Sequence, residues 1–146
     1  NPFTPAINLY FALDASLTMM QKEGLNNIFL RHARHQKATQ EGIKAMGLKL
    51  FTKESFGSPA ITAVEPKDID AENIRKALKN DFDILLAGGQ DHLKGKIFRI
   101  GHLGFVNDRD IISVISALES TLDKMGKLNN PIGRGIAQTI SVLNNQ

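Results

Sequence analysis

The sequence predicts an α+β fold, a two-layer sandwich in which a small, mostly antiparallel sheet carries helices on one face. Apolar residues recur at helical spacing near both ends of the chain. Between these stretches lie short apolar runs bounded by Gly and Pro, as is typical of strands. The resulting order is helix, helix, strand, strand, helix, strand, strand, helix, helix, which packs most simply as two layers around one core.

The composition indicates an ordinary globular domain, because 42% of the 146 residues are apolar and 23% are charged. A net charge of +3 with scattered basic residues does not indicate a nucleic-acid partner. With no cysteine, disulfides and thiolate-held metal or iron–sulfur centres are excluded for this chain. No apolar run approaches the ~20 residues of a membrane span, so no membrane contact and a cytoplasmic location are predicted. The chain begins with Asn1 and not with Met, and we interpret it as a piece of a longer protein.

The first helix is predicted to begin near Ile7 or Asn8 and to end at Gly24. Its apolar positions are Leu9, Leu13, Leu17 and Met20. A second helix is predicted from about residue 26 to residue 46, ended by Gly47.

Within the second helix, His32 and His35 are three residues apart, so metal ligation has to be considered. A zinc site needs at least a third ligand, and none lies at metal-motif spacing. We therefore predict no metal site, and two histidines that are part-buried or at the surface.

Four strands are predicted, at residues 48–51, 61–64, 82–87 and 97–100. Asp70 is predicted to cap the helix that separates the second strand from the third. Gly88 and Gly89 predict a tight hairpin-like turn before the fourth strand, since no phosphate-binding glycine pattern surrounds them.

Two helices are predicted to close the chain. The first of them begins at Asn107 or Asp108 and ends at Gly126. Its apolar positions are Ile111, Ile115, Leu118, Leu122 and Met125. The second occupies the tail from 131 to 146, with Ile136, Ile140 and Leu143 on its apolar face.

Arg99 is the first candidate site residue, because an arginine inside so short an apolar strand needs a partner or access to water. A carboxylate gripped by two parallel hydrogen bonds is the usual partner, from a ligand or from the protein itself, for example Asp91. Gly101 and Gly104 would allow backbone to approach whatever Arg99 faces. His102 would face away from Arg99 on an extended strand, so no catalytic role is assigned to it.

Thr4 is the second candidate, because it stands with Pro5 just before the first helix. A threonine hydroxyl there either caps the helix or contributes to an anion site, since free N–H groups point outward from a helix N-terminus. From the residues alone, capping is the commoner role. The preceding Pro2, like Pro5, predicts extended backbone.

The stretch from Gly88 to Phe105 resembles class V aminotransferases, the fold-type-I pyridoxal phosphate enzymes that include alanine–glyoxylate and serine–pyruvate aminotransferases. The family pattern R-I-G-x-L-G is matched by Arg99, Ile100, Gly101, Leu103 and Gly104. The family's Gly-Gly turn before this strand is matched by Gly88 and Gly89. The resemblance covers nearly the whole chain, and some similar proteins carry the name soluble hydrogenase small subunit.

The resemblance implies that the chain is the C-terminal small domain of such an enzyme. Residues 1–24 would form a connector and linking helix, 25–126 the core and 127–146 a tail helix. Arg99 would hold the α-carboxylate of the substrate, and Thr4 would contact the coenzyme phosphate of the neighbouring subunit in a homodimer. The parent would move an amino group from alanine or serine to glyoxylate or pyruvate. No catalytic residue is expected in this chain, because the lysine that binds pyridoxal phosphate would lie upstream and no lysine here stands in a matching motif.

Two other functions remain open. A regulatory domain that binds an amino acid or another carboxylate would use the same arginine and glycine turn without a coenzyme. A dimerisation domain would pair Arg99 internally. What precedes residue 1 in the parent distinguishes them, since only an aminotransferase needs a coenzyme-binding domain with its lysine.

Overall fold

A computed structural model describes residues 3–145, apart from the side chain of Glu54, so the predictions for Asn1, Pro2 and Gln146 lie outside the described residues. The helices are α1 (Ile7–Glu23), α2 (Leu25–Ala45), α3 (Ala71–Phe82), α4 (Asp108–Lys124) and α5 (Arg134–Asn144). The strands are β1 (Lys49–Leu50), β2 (Ile61–Glu65), β3 (Ala87–Gly88) and β4 (Phe98–Gly101). The predicted α+β fold class is confirmed.

The chain divides into two compact units, the first of which ends at Arg31, inside α2. In this first unit, α1 begins at Ile7, as predicted, and is followed by Gly24, whose φ of 85° is positive. The Arg31 guanidinium grips the Glu23 carboxylate with two bonds, of 2.6 and 3.0 Å. No residue of α1 is buried.

In the second unit the four strands form one antiparallel sheet in the order β1-β2-β4-β3. Because side chains alternate across a strand, β4 sends Phe98 and Ile100 into the core, where both are almost fully buried. Arg99 and Gly101 lie on the opposite, more exposed face. The alternation predicted for this strand is confirmed.

Helices α3, α4 and the part of α2 that lies in the second unit supply most of the core that covers the buried face. Fully buried side chains from these elements include Ile43, Ile74, Leu78, Ile115, Leu118 and Leu122, and Met46, directly after α2, joins them. The predicted apolar stripe of α4 is confirmed, with Met125 only partly buried at its end.

Side-chain caps fix where α3 and α4 begin. Asp70 accepts a hydrogen bond of 2.8 Å from the N–H of Glu72, as predicted. Asn107 and Asp110 form a capping box at the start of α4, in which the side chain of each residue accepts a hydrogen bond from the backbone N–H of the other. The start of helix α5 is bonded by a side chain from another helix, because the buried Glu119 carboxylate of α4 accepts a hydrogen bond from the Gly135 N–H at 2.8 Å.

Three local predictions are wrong: the extent of the third strand, the tight turn after it and the burial of Ile140. The strand predicted at 82–87 is only Ala87–Gly88, because Phe82 ends α3 and Asp83 follows it in a left-handed conformation. The hairpin between β3 and β4 is therefore long and contains a short 3-10 turn at Asp91–Leu93. In α5, Ile140 is exposed and Thr139 is buried in its place.

Candidate functional site

Arg99 lies in the middle of β4, between two small side chains. Its register partners are Ala63 on β2 and Ala87 on β3. Cross-strand neighbours on one face stand close enough to touch, so large residues at these two positions would crowd the guanidinium. Two methyl groups leave space on both sides of it.

One nitrogen of Arg99 is anchored and the other two remain for a ligand. Nε donates a hydrogen bond of 3.0 Å to the carbonyl oxygen of Gly88. Among the side chains that the structure describes, no carboxylate forms an ion pair with Arg99, and the alternative pairing with Asp91 is not formed. The Nη1 and Nη2 groups therefore stand as a two-pronged donor for a planar carboxylate.

An open groove of about 320 Å³ adjoins this arginine. It is lined by Ile61, Ile84, Leu85, Leu86, Ala87, Arg99, Ile100, Gly101 and Val114. The groove exists because residues 84–86 do not pair with β4, so the strands separate beyond Ala87. Its lining is apolar except for Arg99, which suits a small carboxylate better than a highly charged ligand.

An ion pair on α3 contacts the strand that anchors Arg99. Arg75 pairs with Glu72, one turn earlier on the helix, and its Nε donates to the carbonyl oxygen of Leu86 at 2.7 Å. A Cβ on Gly88 would lie 2.7 Å from Arg75 Nη1, so the pair packs directly on that glycine. The sequence reasoning missed this contact. Its only signal was an acid and a base three residues apart on a predicted helix.

Thr4 belongs to the first compact unit and does not cap α1. The N-cap residue is Ala6, and no side chain bonds the first turn. The capping interpretation of Thr4 is wrong, because Pro5 and Ala6 separate its side chain from the helix start at Ile7. Thr4 is exposed, and its hydroxyl bonds no other residue of the described range 3–145.

Comparison with known proteins places the chain. No protein-family model matches it. The soluble hydrogenase small subunit of Synechococcus sp. (strain PCC 6716) is 57% identical over 142 residues, which are 97% of this chain and 37% of that protein. Serine–glyoxylate aminotransferase of Arabidopsis thaliana is 40% identical over 127 residues, 86% of this chain and 32% of that protein. The crystal structure of pyridoxamine–pyruvate aminotransferase from Mesorhizobium loti matches with a TM-score of 0.89 and 32% identity, over 98% of this chain and 37% of that one.

The homologues of this chain are class V aminotransferases. The resemblance predicted from Arg99 and its glycines is thereby confirmed, as is the occurrence of the name soluble hydrogenase small subunit among similar proteins. The chain spans only about a third of the length of the relatives it matches, between 32% and 37% in these three. No helix of the described residues is both long and apolar enough to cross a membrane.

His102, just after β4, lies on the buried side of the sheet and not beside the Arg99 guanidinium. Its ring is completely buried, with Nδ1 3.0 Å from the carbonyl oxygen of Pro59 and Nε2 2.9 Å from the Thr62 hydroxyl. Burial lowers the pKa of His102 to about 4, although the bond to Pro59 raises it in part. The ring is therefore neutral near pH 7. A neutral ring donates from Nδ1 to Pro59 and accepts from Thr62, which is a structural role.

Acid is expected to destabilise the chain through His102. In the unfolded chain the histidine pKa is about 6.5, above its folded value, so the unfolded state binds more protons in the interval between the two. Stability is therefore complete above about pH 6.5 and falls as the pH drops towards 4. Between about pH 7.5 and about pH 4.5, the loss from this group is about 2 to 3 kcal/mol. Urea unfolding of the wild type and of His102→Gln at several pH values measures this loss, because the glutamine variant lacks the contribution of the histidine. If the free energy of unfolding falls with pH equally in both proteins, the assignment is contradicted.

The other two histidines of interest anchor the loop that follows β4. His32 Nε2 accepts from the Gly104 N–H at 3.2 Å, and the buried His35 lies 2.9 Å from the Asp108 carboxylate. Within residues 3–145, no group of three acidic or histidine side chains is placed to hold a metal. Both histidines are thus accounted for as contacts between α2 and the segment that begins α4.

Proposed function

We propose that this chain is the C-terminal small domain of a pyridoxal phosphate-dependent aminotransferase, and that Arg99 binds the α-carboxylate of its substrate. The parent would transfer the amino group of a small L-amino acid, alanine or serine, to glyoxylate or pyruvate. The observation that carries the proposal is the setting of Arg99, whose Nε is anchored to Gly88 while no described carboxylate pairs with its two Nη groups.

The contribution of Arg99 to catalysis is positioning. A carboxylate held by two parallel N–H···O bonds has a fixed plane, so the Cα–H bond of the amino acid is held in one direction. Ala63 and Ala87 leave room for that carboxylate, and apolar side chains line the groove beside Arg99. The guanidinium carries hydrogen-bond donors and no acceptor, so it takes no proton from the substrate.

Pyridoxal phosphate would supply an electron sink for the negative charge that develops at the substrate Cα. The residues of this chain fit the phosphate end of that group. Helix α1 begins without a side-chain cap, and the exposed Thr4 hydroxyl, which bonds no other described residue, stands just before it. Thr4 would donate a hydrogen bond to the coenzyme phosphate of the neighbouring subunit. The proposed parent is therefore a homodimer.

The name soluble hydrogenase, carried by two of the similar proteins, gives no chemistry to the residues of this chain. The chain has no cysteine to contribute to a metal centre, and His32, His35 and His102 already bond protein groups. The arginine motif and the glycine pair, in contrast, have a role in amino-group transfer. We therefore assign the aminotransferase function, and a cytoplasmic location stays a prediction.

An absorption spectrum of the purified full-length parent tests the proposal. We expect a coenzyme band above the range of protein absorption, and a shift of that band when L-alanine or L-serine is added. D-alanine serves as the matched control, because it carries the same groups in the wrong arrangement around Cα. A colourless protein that takes up no pyridoxal phosphate would contradict the proposal and favour a regulatory carboxylate-binding domain.

A further inference from the structure

The orientation of Arg99 depends on a very short strand. β3 consists of Ala87 and Gly88 alone and stands at the edge of the sheet, paired only with β4. The Gly88 carbonyl that anchors Arg99 Nε belongs to this strand. Beyond the pairing of Ala87 and Gly88, one further backbone bond, from Gly89 N–H to the Ile97 carbonyl at 3.0 Å, holds it to the sheet.

Helix α3 holds the same strand from its other side. Arg75 Nε donates to the Leu86 carbonyl at 2.7 Å, directly before β3. Its Nη1 pairs with Glu72, and both side chains are less than a third exposed, at 29% and 28%. Added to Gly88, a Cβ would lie 2.7 Å from Arg75 Nη1 and 2.7 Å from Glu72 Oε1, so the ends of both side chains would have to move away from the strand.

We propose that Arg75, held by Glu72, is a positioning residue for the substrate carboxylate. It fixes the Leu86–Gly88 backbone, this backbone fixes Arg99 Nε, and the anchored Nε sets the direction of the two Nη groups. This inference rests on the proposed function of Arg99. An arginine side chain has large rotamer freedom, so a carboxylate site built on it gains from being ordered before the ligand arrives. A small displacement of a positioning group lowers reactivity without any loss of a direct contact.

Two probes with the same reactive group separate the carboxylate from everything else. Aminooxyacetate carries a carboxylate and O-methylhydroxylamine does not, and both react with enzyme-bound pyridoxal phosphate through their aminooxy nitrogen. The second-order rate constants are measured from the coenzyme absorbance of the full-length parent. The ratio of the two constants reports on recognition of the carboxylate alone.

Arg75→Met, which keeps an unbranched stem and loses the guanidinium, is expected to lower this ratio by about threefold to tenfold. O-methylhydroxylamine should react with an unchanged rate constant. Deuterium uptake of the backbone at 87–89, followed by mass spectrometry, should rise at the same time, because the strand has lost its outer support. Glu72→Gln, nearly isosteric, is the second variant and should change the ratio and the uptake in the same direction.

Glu41→Gln is the matched control. It breaks a different ion pair of the same spacing, Glu41–Lys44 on α2, whose side chains are 30% and 36% exposed. It should leave both the ratio and the uptake at 87–89 as in the wild type.

Three outcomes would overturn the inference. If Arg75→Met and Glu72→Gln keep the wild-type ratio while Arg99→Ala lowers it, Arg75 does not position the carboxylate site, and the proposed function of Arg99 stands. An equal fall with both probes would show general damage and not loss of positioning. If Arg99→Ala itself leaves the ratio unchanged, the proposed function fails and the inference fails with it.

Discussion

Replacing Arg99 by alanine is expected to lower kcat/KM of the full-length parent for its amino donor by roughly tenfold to more than a hundredfold. A hydrogen bond to a charged group contributes about 1.5 to 3 kcal/mol, and this contribution is lost when the guanidinium is removed. The loss should be larger for the amino acid than for an amine that lacks the carboxylate. Steady-state kinetics with L-alanine and L-serine measure the effect.

Two further variants sharpen this test. Arg109→Ala is the matched control, because Arg109 is exposed on α4 and takes no part in the candidate site; its kcat/KM should equal that of the wild type. Arg99→Lys retains the charge but not the planar pair of donors, so most of the loss should remain. If Arg99→Ala keeps wild-type efficiency, the carboxylate assignment is wrong and Arg99 is a structural residue.

Replacing Gly89 by alanine is expected to destabilise the fold by roughly 3 to 5 kcal/mol. The added Cβ would lie 2.5 Å from the carbonyl carbon of Leu93 and 3.0 Å from Cγ1 of Ile97. The Leu93 carbonyl is backbone of the 3-10 turn after β3, so it cannot rotate away as a side chain would. The hairpin must open to admit the methyl group. Urea unfolding of this chain, monitored by circular dichroism, measures the loss.

Gly101→Ala controls for the loss of a glycine as such. Gly101 is exposed at the end of β4, no atom lies within 4 Å of its added Cβ, and its φ is not in the left-handed region. The free energy of unfolding should stay within about 0.5 kcal/mol of the wild type. Equal destabilisation by the two substitutions would show that the close contact at Gly89 is not the cause.

The helix boundaries could be predicted from the sequence because local chemistry decides them. Asp70 and Asn107 cap α3 and α4 through bonds to residues two positions away, and Gly24 follows α1 with a positive φ that glycine adopts readily. Such signals need no knowledge of the tertiary fold. The buried side of β4 was predictable for a similar reason, since alternation along one strand assigns Phe98 and Ile100 to the same face.

The third strand was predicted too long because periodicity alone cannot distinguish an apolar helix end and loop from a strand. Phe82 is the last residue of α3, and Leu85 is 75% exposed in the unpaired segment that follows. Both residues read as strand formers in isolation. Whether they pair depends on where the neighbouring strand lies, which is a tertiary property.

The candidate site was predictable in its principal residue and not in its surroundings. The type and position of Arg99 follow from the motif around it. The two alanines beside Arg99, in contrast, depend on the register of β2 and β3 against β4, and Arg75 reaches the site only because α3 packs on β3. Contacts between segments far apart in sequence leave no periodic trace in the chain.

The strand order has a consequence for the behaviour of the sheet towards other chains. Its two longest strands, β2 with five residues and β4 with four, are paired on both sides, while the edges are β1 and β3 with two residues each. Unpaired N–H and C=O groups on an edge act as a template for a foreign strand, and their number grows with the length of the edge. A sheet edged by two-residue strands offers little of this template, so its arrangement itself protects against edge-to-edge aggregation.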